Sequence, residues 1–117
     1  MARLSTHVLD TARGIPAKGV KIELHRLQGG ERLHVTTMIT NADGRTDSPM
    51  LSGEHIETGV YELTFHAGDY LRASGAALSD PAFLDAVLVR FGVAEPQGNY
   101  HVPLLLSPFG YSTYRGS

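Results

Sequence analysis

The side chains of this sequence that could do chemistry are few and widely spaced. His7 lies in an alternating segment, with Leu4 and Val8 facing one way and Ser5, His7 and Leu9 the other. It is either a strand histidine on a solvated face or a neutral imidazole open to proton transfer, because imidazole titrates nearest working pH. His101 has the same two readings. It shares a strand face with Pro103, whose missing N–H puts that strand at a sheet edge or makes its pairing irregular. Arg45 follows an Asp43-Gly44 turn. It is a solvated arginine, a partner for Asp47, or a permanent planar cation able to hold a carbonyl or urea-like edge and stabilise an oxyanion. The chain ends Tyr111-Ser112-Thr113-Tyr114-Arg115-Gly116-Ser117, directly after a strand. Such a tail either frays or folds into a pocket.

Other chemistries find little support. Asn41-Ala42-Asp43-Gly44 resembles the start of a calcium loop, but the sixth and twelfth positions hold Thr46 and Ser52 instead of glycine and glutamate. His25, His34, His55 and His66 are scattered and lack close helical or His-x-His spacing, so no metal site is expected. Glu54 and Glu57 read as solvated loop carboxylates. A Gly-x-Ser-x-Gly elbow, a phosphate loop and a dinucleotide fingerprint are all absent from the sequence.

The elements that must carry these residues are strands. Val20, Ile22 and Leu24 alternate with Lys21, Glu23 and His25. Leu33, Val35, Thr37 and Ile39 alternate with His34, Thr36, Met38 and Thr40. Further runs cover Tyr61 to His66, Ala86 to Val93 and Tyr100 to Leu106, with shorter ones at Leu4 to Leu9 and Tyr111 to Tyr114. Turn residues divide them at Gly14-Ile15-Pro16, at a Gln28-Gly29-Gly30-Glu31 hairpin, at Asn41 to Gly44 and at Ser107-Pro108-Phe109-Gly110. One helix is expected over Gly68 to Leu78, capped by Asp69 and stopped by Gly75. Short strands with Gly- and Pro-marked connections predict an all-β, two-sheet antiparallel sandwich. Leu105 beside His101 and Pro103, and Leu88 beside Ala86, put apolar side chains on both faces of two strands. In a short chain a second subunit is the natural cover.

A length of 117 residues suits one domain, residues 1–117. With 42% hydrophobic and 19% charged residues the composition is that of a globular protein. A net charge of −2 supplies no overall basic field for nucleic acid or an anionic membrane. No stretch reaches the ~20 apolar residues of a spanning helix. The first residues form no apolar run of signal-peptide length, and there is no cysteine. The expectation is a cytoplasmic protein without disulfides or thiolate metal sites.

Taken together, these segments resemble the 5-hydroxyisourate hydrolases of the transthyretin-like family. The likeness rests on Leu4-Ser5-Thr6-His7-Val8-Leu9-Asp10 followed by Gly14-Ile15-Pro16-Ala17, on Asp43-Gly44-Arg45, on Tyr100-His101-Val102-Pro103-Leu104-Leu105-Leu106-Ser107-Pro108, and on the tail from Tyr111 to Ser117. Its terminal Tyr-Arg-Gly-Ser separates these hydrolases from the hormone-carrying transthyretins. The resemblance implies a transthyretin-type sandwich of about eight strands and one short helix. It implies a homotetramer, a dimer of dimers, with active sites where dimers meet. The implied reaction is hydrolysis of a cyclic amide in a small purine catabolite, without a cofactor. His7, Arg45, His101 and Ser117 match the family's catalytic residues, and Tyr114 matches a substrate-binding one, with His7 and Arg45 also contacting substrate. Asn99 departs from the family's common histidine two places before His101. The rival readings are a non-catalytic ligand-binding protein on the same fold and a structural sandwich module.

Overall fold

The computed structural model describes residues 1–116; Ser117 lies outside the described residues. Among the described residues, nine strands and one helix run in the order β1 (Ala2–Asp10), β2 (Ile15–Pro16), β3 (Lys21–Gln28), β4 (Glu31–Ile39), β5 (Leu51–Gly53), β6 (Gly59–His66), α1 (Ala67–Ala73), β7 (Ala86–Val93), β8 (Asn99–Ser107) and β9 (Gly110–Thr113). They form two sheets. One is ordered β2-β1-β8-β9, with β5 also paired to β1, and the other is ordered β4-β3-β6-β7. The inward residues Leu4, Val8, Ile22, Leu24, Leu63, Phe65, Leu104 and Leu106 come from both sheets and are fully buried. The expected two-sheet sandwich is the fold of this chain. Among the described residues, no helix is long and apolar enough to cross a membrane.

Among the described residues, every ladder is antiparallel except one. β1 and β8 run parallel, from Arg3 opposite Asn99 to Asp10 opposite Leu106. No local pattern marks this pairing, because its partners are separated by nearly the whole chain. The Gln28–Glu31 hairpin closes as expected, with Gly29 and Gly30 at φ 59° and 82°, the left-handed pair that a two-residue loop requires.

The structure differs from expectation at four local points. Ile15 and Pro16 are not turn residues; they form β2 against Leu9 and Asp10. The helix ends at Ala73 and not at Leu78; Gly75, the expected stop, stands at φ 82° and its N–H donates to the Arg72 carbonyl at 3.3 Å. Asp69 does not cap it but pairs with Arg72 at 2.6 Å. In β4 the alternation does not separate inside from outside cleanly. Leu33, Val35 and Ile39 stay 41%, 39% and 62% exposed, while Met38 packs on the core. β4 is an edge strand, and the register shift between Leu24 and His25 changes which of its residues face inward.

The end of β1 is tied down by a buried carboxylate. Asp10, 1% exposed, accepts from the Tyr70 hydroxyl at 2.7 Å and from the Arg13 backbone N–H at 3.1 Å. Burial, and then the bond to Asp10, hold the Tyr70 phenol above its ordinary pKa, so it remains a donor. Tyr70→Phe leaves the carboxylate short of a partner. The expected loss is about 1–3 kcal/mol of unfolding free energy, read from a urea titration.

Candidate active site

Period-two alternation in β1 buries Ala2, Leu4, Thr6 and Val8 and turns Arg3, Ser5 and His7 to the outer face of its sheet. In β8 it buries Tyr100, Val102, Leu104 and Leu106 and sends His101 outward, half-buried. The parallel register then sets Arg3 beside Asn99, Ser5 beside His101, and His7 beside Pro103. His7 and His101 therefore share one face.

Arg45 reaches the same face by a different route. Along the edge of β1 away from β8, β2 pairs with Leu9 and Asp10, and β5 pairs with Ala2 to Leu4. Between these two short strands a single antiparallel bridge joins His7 to Arg45. The turn before Arg45 is built by Asn41, whose side-chain oxygen accepts from the N–H of Asp43 at 2.9 Å and of Arg45 at 3.3 Å. Gly44 makes the closest approach. Its carbonyl accepts the Val8 N–H at 2.8 Å, its φ is +73°, and a Cβ there would lie 2.4 Å from the Val8 carbonyl oxygen.

The hydrogen bonds say which imidazole atoms are free. His101 Nδ1 lies 2.9 Å from Ser5 Oγ. If Nδ1 accepts from that hydroxyl, Nε2 carries the proton; if it donates, Nε2 is the free base. His7 Nε2 lies 3.0 Å from the Asp43 carbonyl. A carbonyl only accepts, so Nε2 carries hydrogen and the lone pair of a neutral His7 is at Nδ1. Burial pushes the pKa of His101 below its ordinary 6.5, and the charges of Arg45, His7 and Arg3 add to the effect. A neutral imidazole flanked by guanidinium charge can take a proton from water while an oxyanion is held nearby.

The surface here is concave. One hollow of about 250 Å³ is lined by Arg3, Ser5, Arg45, Asn99, Tyr100 and His101. A second, of about 200 Å³, shares Arg3, Ser5 and Arg45 and continues along Thr46 to Pro49. Among the described residues, no cluster of three or more His, Cys, Asp or Glu side chains is arranged to hold a metal ion.

The tail is not frayed up to its last described residue. The Gly116 N–H donates to the His101 carbonyl at 2.7 Å. The Arg115 guanidinium stacks 4.2 Å from the Tyr100 ring centroid. Ser117 lies outside the described residues. In the single chain Tyr114 does not join the histidines. It lines a separate hollow of about 360 Å³ at the sandwich edge, with Val89, Phe91 and Val102. Ser5, Arg3 and Gly116 carry no functional signal of their own in the sequence. Alternation with His7 signals that Ser5 and Arg3 share its face, but only the long-range register brings them to His101.

A profile of the HIUase/Transthyretin family matches residues 4–116. This chain belongs to that family. It is 61% identical to 5-hydroxyisourate hydrolase 2 of Rhizobium meliloti (strain 1021), over 98% of this chain and 96% of that protein. Among solved structures it is similar to (S)-allantoin synthase, with a TM-score of 0.93 and 45% identity over 99% of this chain. This chain spans only 44% of that one's length. It is also similar to sea bream transthyretin in complex with thyroxine, with a TM-score of 0.85 and 28% identity, over 97% of this chain and 94% of that one.

The Gly44 contact gives a direct test of how Arg45 is held. Gly44→Ala meets both the left-handed φ and the Val8 carbonyl, and should cost at least about 1–3 kcal/mol. A fall in Tm of several degrees checks this; an unchanged melting curve would mean that the turn adapts freely.

Proposed function

We propose that this chain hydrolyses 5-hydroxyisourate, opening its cyclic amide to give 2-oxo-4-hydroxy-4-carboxy-5-ureidoimidazoline. The observation that carries the reading is a partly desolvated His101, bonded to Ser5 and sharing one hollow with Arg45, with His7 on the same sheet face. Identity of 61% to a protein named a 5-hydroxyisourate hydrolase supports the substrate. The transthyretin named as a thyroxine complex is only 28% identical, which favours the hydrolase over the binding-protein rival.

The chemistry follows from the groups. Water adds its oxygen to the ring carbonyl carbon as one of its protons passes to a base. The carbon–nitrogen bond then breaks, and the ring nitrogen takes a proton. The new carboxylic acid ionises at neutral pH, so one proton is released overall. His101, kept neutral by its lowered pKa, is the base. His7, in its imidazolium form, gives its Nδ1 proton to the leaving nitrogen while its Nε2–H stays on the Asp43 carbonyl, and the proton taken up by His101 returns to solvent to close the cycle. Arg45 faces the carbonyl oxygen as negative charge builds there. Ser117 hydrogen-bonds the water or substrate, and Tyr114, which lines a separate hollow in the single chain, would hold the planar ring only where subunits meet. The reaction needs no cofactor.

The site is completed by assembly in this reading. The outer face around His101 carries the half-buried Leu9 and Leu105 beside Pro103. A homotetramer built as a dimer of dimers would cover that face and enclose the hollow. Ultraviolet decay of freshly made 5-hydroxyisourate, with light scattering on the same sample, tests both parts. The expected result is rapid decay by a tetramer; decay at the buffer rate would reject the hydrolase.

His7→Ala and His101→Ala should each lower kcat by ~10²–10⁴-fold with Tm nearly unchanged. Wild-type kcat in both variants would remove the histidines from the mechanism. The pH dependence has a defined sign. Because the His101 pKa is lowered, its neutral, basic form survives to lower pH than an ordinary imidazole. The acid limb of kcat/KM should therefore have its midpoint below 6.5. A midpoint above that value would argue against His101 as the base.

A further inference from the structure

The concave face holds a second guanidinium that the chemistry above leaves unused. Arg3 projects from β1 on the same side as Ser5 and His7, exposed to solvent. It lines both hollows, as Arg45 does, and its neighbour across the ladder is the uncharged Asn99. Among the described residues, no carboxylate is ion-paired with Arg3. Asp47 lines the smaller hollow with Arg3, and its Oδ1 accepts from Asn41 Nδ2 at 3.0 Å.

Ring opening changes what the site must hold. The substrate presents one carbonyl oxygen at the reacting carbon. After water has added and the carbon–nitrogen bond has broken, that carbon carries two equivalent oxygens sharing a full negative charge. A carboxylate has about four lone-pair sites, enough for two guanidiniums. We propose that Arg3 is a second arginine of the active site, holding with Arg45 the carboxylate that ring opening creates. This assignment rests on the hydrolase reading and adds a residue to it. The arrangement of charge supports it independently of the reaction. Both guanidiniums act on the same imidazole, lowering the His101 pKa after burial has done so, and both are therefore within electrostatic reach of the same reacting centre.

The role makes Arg3 a group whose contact strengthens as charge develops, not one that only captures substrate. Loss of such a contact lowers kcat and kcat/KM together. The test is steady-state hydrolysis of 5-hydroxyisourate by the parent chain, Arg3→Gln and Arg3→Lys, with melting curves for all three. Arg3→Gln should lower kcat and kcat/KM about tenfold, the worth of one charge-assisted hydrogen bond. Arg3→Lys should recover most of the loss, and the Tm values should agree within a few degrees. Rates for Arg3→Gln within twofold of the parent, or no recovery with lysine, would overturn the assignment while leaving the hydrolase reading intact. A parent chain without activity would overturn both.

Discussion

Ladder hydrogen bonds between β1 and β8 run parallel, so Ser5 and His101 meet at 2.9 Å although 96 positions separate them. Parallel neighbours need a long crossover. Here the crossover is the whole second sheet and the helix. Closing so long a loop has an entropic cost that grows only slowly with length. The inner faces of the two strands offset that cost by burying Leu4, Val8, Leu104 and Leu106 completely. Because side chains alternate, packing those residues inward leaves Arg3, Ser5 and His7 nowhere but outward. A slip of one residue would bury the imidazole and expose the leucines. The register is thus specified by the core, and the functional face inherits its geometry from it.

The opposite edge of β1 is divided rather than continuous. Two short strands and one bridging residue share it, and the bridging residue is Arg45. An arginine on an unsupported loop would lose much conformational entropy on being positioned. Here the backbone has already been fixed by the Asn41 turn and by the Gly44 carbonyl bond to Val8. Only the side chain remains to be ordered. The same bridge ties His7 and Arg45 to each other, so the proton-transfer group and the charge-stabilising group move as one backbone unit.

Local patterns revealed most of the strands and hid their partners. Alternation at Val20 to His25, Tyr61 to His66 and Tyr100 to Leu106 reflects burial on one face, a property each segment carries by itself. Ile15-Pro16 and Leu51 to Gly53 are too short to alternate and exist only because β1 offers them a template. β4 carried a clear alternation that burial did not follow, because a bulge and an edge position are set by the neighbouring strand. His7, Arg45 and His101 were legible as chemically able residues, and the family likeness grouped them. Their convergence was not legible from spacing, since register, and not distance along the chain, brings them together. Ser5 and Arg3 were overlooked for the same reason: neither is unusual until His101 lies alongside.

Pro103 shows how one residue type shapes the site beyond its own position. β8 lies inside the sheet, where proline leaves a missing donor. The β8–β9 ladder accordingly stops after Leu104 pairs with Thr113, and Thr113 Oγ1 donates to the Pro103 carbonyl at 2.7 Å. Pairing resumes only at Gly116 opposite His101. The two residues spanning the gap are freed from the ladder. Arg115 lies over the Tyr100 ring, and Tyr114 turns to the hollow at the sandwich edge. At the point of return a side chain is excluded, because a Cβ on Gly116 would stand 2.7 Å from Cδ2 of the His101 ring. A glycine there lets the tail bond the His101 backbone without displacing its imidazole. The break forced by Pro103 and the close approach allowed by Gly116 together couple the end of the chain to the residue on which the proposed proton transfer depends.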